Sequence, residues 1–110
     1  MLDDLRAGMF NTQLNTPFRI YVSPTMAMEV ALIEVTEKGA SDHQQPSAVR
    51  RQERFSLVFR GPRDTLLQQG IYQVQHNQLG ALELFLVPVG QDHEGLYYEA
   101  VFNRLSRPDA

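Results

Sequence analysis

GIYQVQHNQLGALELFLVPVG, residues 70–90, decides the fold. Tyr72, Val74 and His76 alternate with Ile71, Gln73 and Gln75, and after a break Leu82, Leu84 and Leu86 alternate with Glu83, Phe85 and Val87. A period of two marks a strand, whose successive side chains leave opposite faces of the pleat. Asn77-Gln78-Leu79-Gly80 suits a short hairpin loop, because Gly80 can take the positive φ that closes a bulged turn. The stretch predicts an antiparallel hairpin turning at residues 77–80. Both faces of Phe85-Leu86-Val87 are apolar, so this part of the sheet needs cover on each side, from a closed barrel, a helix or a partner protein.

The flanking segments repeat the pattern. In RFSLVFR (Arg54–Arg60), Phe55, Leu57 and Phe59 oppose Ser56, Val58 and Arg60, and Gly61-Pro62-Arg63-Asp64 ends the run in a turn. Gln91–Gly95 is a polar turn, and in LYYEAVFN (Leu96–Asn103) Leu96, Tyr98, Ala100 and Phe102 oppose Tyr97, Glu99, Val101 and Asn103. Toward the N-terminus, Phe18, Ile20 and Val22 share a face, and Ser23-Pro24-Thr25 breaks the strand. In Met26–Glu37, Met26, Met28, Val30 and Leu32 alternate with Ala27, Glu29, Ala31 and Ile33. Met, Ala, Leu and Glu favour helix there, but Val30, Ile33, Val35 and Thr36, with Pro24 and Gly39 at the flanks, favour strand. Leu2, Leu5 and Met9 recur at helical spacing, which predicts a short helix over residues 2–10 that plugs one end of a β structure.

The expected fold is therefore all-β: a small antiparallel β-barrel or sandwich of about six strands with a short N-terminal helix, one domain over residues 1–110. Phe55, Leu57, Phe59, Val74, Leu84, Leu86 and Phe102 are the expected core. Residues 39–52 read as an exposed loop and 104–110 as a frayed tail.

With 110 residues and 43% hydrophobic content, the chain can build one core and is not a disordered segment. Its net charge of -3 argues against a nucleic-acid partner, because phosphate neutralisation needs concentrated positive charge. The one basic cluster, Arg50, Arg51 and Arg54, has Glu53 among it and reads as a solvated junction. No apolar run approaches the ~20 residues of a membrane-spanning helix, and no membrane partner is expected. MLDDLRAGMF does not read as a secretory leader. The absence of cysteine excludes disulfides and thiolate zinc sites, and the expected location is cytoplasmic.

Candidate chemistry is sparse. His43 stands alone in a polar loop, and Asp92-His93-Glu94 lacks the alternating oxygen ligands of a calcium loop. His76, Ser56 and an acid are ingredients of a hydrolase triad, but no G-x-S-x-G elbow is present, and a histidine at the mouth of a hairpin more often caps the turn. No catalytic residue, metal or cofactor is expected. By parity, Arg60, Glu83 and Glu99 face away from the core, where Arg60 could bridge one or both carboxylates. With Val58, Arg60, Phe85, Val87, Tyr97 and Glu99 they define a mixed apolar and polar face, the candidate partner-binding surface. This predicts a non-catalytic protein-interaction or assembly module, engaging another protein of a larger assembly or a second copy of the chain. The alternative is a small-ligand-binding β-barrel with its pocket at the mouth, near His76 and the 39–52 loop.

FSLVFRGP (Phe55–Pro62), QGIYQVQHNQLGALELFLVPVG (Gln69–Gly90) and YEAVFN (Tyr98–Asn103) resemble, in this order, a family of short bacterial domains of unknown function. The resemblance covers about the C-terminal half of the chain. It supplies no catalytic residues, and it implies a bacterial setting in which relatives lie near phage-tail-like genes.

Overall fold

The computed structural model describes residues 7–37 and 51–106. One helical turn, α1 (Ala7–Asn11), precedes six strands: β1 (Pro17–Ser23), β2 (Met26–Glu37), β3 (Arg51–Gly61), β4 (Gly70–His76), β5 (Gly80–Asp92) and β6 (Gly95–Ser106). They close into a barrel in the order β1-β2-β3-β6-β5-β4, with every neighbouring pair antiparallel. The open question of barrel or sandwich thus resolves to a barrel.

The 70–90 hairpin forms as its alternation predicts. β4 and β5 pair from Gly70↔Leu86 to His76↔Gly80, and Gly80 turns the chain at φ 81°. Val74, His76, Leu82, Leu84 and Leu86 point inward. They meet Phe18, Ile20, Met28, Val30, Leu32, Phe55, Leu57, Phe59, Tyr98 and Ala100 in one continuous core. Phe102, also expected there, is half-buried and packs against it.

Three bulges shift the alternation. Val22 is the extra residue between the Tyr21↔Ala27 and Ser23↔Met26 pairs, and it is exposed instead of joining the Phe18 face; Met26, the first residue of β2, is exposed as well. Ile33 is extra between Leu32↔Phe59 and Glu34↔Val58, and the slip turns Val35 toward the core. Val89 is extra between Pro88↔Tyr98 and Gly90↔Tyr97. An unpaired residue inverts the parity of everything beyond it.

Both barrel ends are plugged. At one, Phe10 of α1 is fully buried, its ring centroid 5.9 Å from Phe55 and 5.7 Å from Phe102, which stack on each other at 4.5 Å. The plug is Phe10 and not Met9, which is exposed; Leu2 and Leu5 lie outside the described residues. At the other end the β3–β4 connection crosses between strands that are not neighbours, and its Leu67 is buried. Tyr98 holds it: the Tyr98 hydroxyl accepts from Leu67 N–H at 3.0 Å and donates to the Thr65 carbonyl at 3.2 Å.

Strand pairing also reaches into segments expected to be loop and tail. β3 begins at Arg51 and β6 runs to Ser106, so Arg51 and Gln52 and residues 104–106 are paired backbone. The remainder of the 39–52 loop, His43 and Arg50 in particular, and residues 107–110 lie outside the described residues.

Candidate protein-binding face

β3, β6 and β5 lie side by side, and their register brings the six predicted residues onto one outer face. Val58 pairs with Glu99, and Glu99 with Val87, giving one row across three strands. Arg60 pairs with Tyr97 in the next row. Phe85 follows two residues before Val87 and pairs with Ile71 of β4. Val58, Arg60, Val87, Tyr97 and Glu99 are half-buried, and Phe85 is 49% exposed.

Two residues outside the predicted set extend the apolar part of this face, Ile71 at 66% and Val101 at 63% exposed. Both were within reach of the sequence pattern: Val101 shares parity with Tyr97 and Glu99, and Ile71 stands opposite Phe85 once the hairpin register is set. The paired, exposed Ile71 and Phe85 form an apolar spot of a kind that often marks an interaction site.

The ionic partner of Arg60 is neither Glu83 nor Glu99. Arg60 Nη1 lies 3.7 Å from Glu94 Oε1, in the β5–β6 turn. Glu83, near the opposite end of β5, instead accepts from the Gln73 side-chain amide at 3.3 Å. The same turn holds a second polar link: the Tyr97 hydroxyl donates to both carboxylate oxygens of Asp92 at 2.9 Å, while Glu94 N–H donates to Asp92 Oδ1 at 2.8 Å. That backbone donor, ahead of Tyr97, lowers the Asp92 pKa below the usual carboxylate range, and the bond to Asp92 raises that of Tyr97. The Asp92-His93-Glu94 stretch is thus a self-capped turn that orients Tyr97 and Arg60.

His76 is a structural residue. Its Nδ1 accepts from the N–H groups of Gln78 at 2.9 Å and Leu79 at 3.1 Å, which closes the hairpin loop. Because Nδ1 only accepts, Nε2 carries the proton and donates to Thr16 Oγ1 at 2.9 Å, and Thr16 in turn donates to the Gln13 carbonyl at 2.6 Å. Asn15, at φ 67°, turns the chain so that this hydroxyl reaches the ring. Phe18 packs over the imidazole at 4.2 Å, and burial lowers the His76 pKa, with the charge of Arg19 adding to the effect. Ser56 stands on β3, which is not adjacent to β4, and the hydrogen bonds of His76 go to Thr16, Gln78 and Leu79. Among the described residues, no cluster of three or more His, Asp or Glu side chains could hold a metal ion, and no helix is long and apolar enough to cross a membrane.

Both ring nitrogens of His76 are engaged by the chain itself, and residues 39–50 of the loop expected beside it lie outside the described residues. A groove of about 520 Å³ lies between Tyr21–Pro24 and Ile71–Gln75, where β1 and β4 pair through three residues each.

The family described as "Domain of unknown function (DUF6916)" matches residues 5–102. The chain belongs to this family. The match spans α1 and all six strands as far as Phe102, so the whole barrel, and the face on it, fall inside the DUF6916 domain. No curated protein and no solved structure matches the chain.

Proposed function

We propose that this DUF6916 domain is a non-catalytic interaction module that docks another protein on the β3–β6–β5 face. The observation that carries the reading is the exposed, cross-strand pair of Phe85 and Ile71, continued along β5 by half-buried Val87 and across the row to Val58, and bordered by Arg60, Tyr97 and Glu99. Interface centres combine aromatic, aliphatic and arginine side chains within a polar rim, and a few of them carry most of the affinity. The setting we propose is a larger assembly in the bacterial cytoplasm, of phage-tail-like kind, for which the sequence resemblance and the cysteine-free chain are the supports.

The test compares proteins captured by the wild-type chain with those captured by Phe85→Asp and Arg60→Ala. A specific partner retained by the wild type and lost by both variants, with unchanged circular dichroism, supports the reading. Identical capture by all three overturns it. The outer groove at the β1–β4 seam favours small-ligand binding as a second reading, for which a ligand-induced rise in melting temperature, abolished by Tyr21→Ala, is the expected result.

A further inference from the structure

The α1 end of the barrel is fastened at three places. Phe10 packs on the Phe55 and Phe102 rings. The turn that follows α1 is bound to β2, Asn15 N–H donating to the Leu32 carbonyl at 2.7 Å and Leu32 N–H to the Thr16 carbonyl at 3.3 Å. The third fastening, between Thr16 Oγ1 and His76 Nε2, ties the same turn to β4 across 60 residues of sequence. Of the three, only this one contains a group that titrates near neutral pH.

His76 fastens a second segment with its other nitrogen, the 77–80 loop, so two stretches far apart in the chain hang on one ring. That ring is buried against Phe18. Among the described residues the one charge acting on it is that of Arg19, on β1. Ala7–Asn11 of α1, the Gln13–Thr16 turn, the 77–80 loop and Gly80, its partner on β5, carry none. Among these neighbours an imidazolium finds no carboxylate, and its new N–H points at other donors.

We propose that His76 is an acid-sensitive latch: its protonation frees the 77–80 loop and the Gln13–Thr16 turn together, while the rest of the barrel stays closed. Position makes the opening local. His76 is the last residue of β4, and its pair with Gly80 is the last of the hairpin ladder. On the other side the β1–β4 ladder ends at Arg19↔Gln75, so the bond to Thr16 lies beyond the final rung. The charged ring can therefore swing into water without breaking an interior strand pair. As it leaves, it gives up the bond to Thr16 and uncovers one face of Phe18. The ordinary histidine value of about 6.5, lowered here by burial and by Arg19, sets the release in mildly acidic solution. The latch goes beyond the docking reading and involves none of the residues of that face.

Amide exchange of the full chain, followed by NMR at about pH 7, 6 and 5 and corrected for intrinsic rates, tests the latch. The Gln78 and Leu79 amides are bonded to Nδ1, and the Thr16 amide to the Gln13 carbonyl at 3.2 Å. All three should lose protection together, by roughly tenfold or more. The Leu57 and Tyr98 amides of the β3–β6 ladder should not change. His76→Gln retains a donor for Thr16 but cannot titrate, and should make the three rates independent of pH. In Thr16→Val the loop amides should still respond to acid, while the amide of position 16 no longer does. Constant protection of Gln78 and Leu79, a loss shared by β3 and β6, a pH response that survives in His76→Gln, or a position-16 amide that follows the loop in Thr16→Val would each overturn the proposal.

Discussion

His76 holds its hairpin only as a neutral ring. A proton on Nδ1 would face the N–H groups of Gln78 and Leu79, both of which that nitrogen now accepts. Burial and Arg19 accordingly place its pKa in the folded chain below 6.5. The sign follows: near and below pH 6.5 the unfolded chain binds the proton more readily, so acid favours unfolding. The stability from this histidine is complete above the unfolded pKa of about 6.5 and is lost as pH falls through the lower folded value. Thermal melts should therefore show a falling midpoint between pH 7 and pH 5, above the range of ordinary carboxylates, roughly. His76→Gln should flatten that slope while lowering stability at neutral pH by roughly 1–3 kcal/mol. An unaltered slope would assign the acid sensitivity to another group. A second residue is constrained by space alone. A Cβ on Gly95 would stand 2.4 Å from the Gly61 carbonyl oxygen and 2.8 Å from Arg60 Cγ, and the backbone oxygen belongs to a fully paired strand. Gly95→Ala should destabilise by roughly 1–3 kcal/mol in urea titration. Gly90→Ala, with nothing within 4 Å of its Cβ, is the matched control and should cause little change.

At the scale of elements, the β3–β4 connection depends on one hydroxyl. Tyr98→Phe keeps the ring that fills the core but leaves the Leu67 amide and the Thr65 carbonyl without their partner. A loss of roughly 1–3 kcal/mol is expected, together with faster exchange of the Leu67 amide; an unchanged exchange rate would show that the loop is held by Leu67 burial alone. The strands were legible where alternation was unbroken, as in Phe55–Phe59 and Leu82–Leu86. They were illegible across a bulge, because an extra residue is defined by the partner strand and leaves no mark on its own. Val22 and Val35 depart from the simple alternation for that reason. The plugging residue was not legible either: Phe10 is selected by the stacked Phe55 and Phe102 rings, a contact made at long sequence separation.

For the molecule as a whole, parity was enough to gather Val58, Arg60, Phe85, Val87, Tyr97 and Glu99, since strand order β3-β6-β5 places their outward sides together. The ionic partner of Arg60 was not legible, because Glu94 lies in a turn where period two has no meaning. The unequal ladders of β6 were equally hidden: β5 pairs with it only as far as Glu99, while β3 continues to Ser106. Exposure also separates docking from folding. Phe85→Asp, at a half-exposed site, should shift unfolding free energy by no more than ~0.5 kcal/mol, so a loss of partner in that variant would report on the surface and not on the barrel.

The strand order has a kinetic side. Four of the six ladders join strands that are consecutive in the chain, whereas β3–β6 and β1–β4 join distant ones. Each three-stranded meander can form by local hairpin closure, but neither buries both of its faces until the other arrives. The search for that encounter, and not hairpin formation, then governs the folding time, on the order of milliseconds to seconds for barrels rich in non-local pairs. The eleven-residue β3–β6 ladder offers a large nucleus for the encounter, and the three-residue β1–β4 ladder a small one. Closure at β1–β4 therefore comes late on the way in, and the barrel opens first along that seam on the way out.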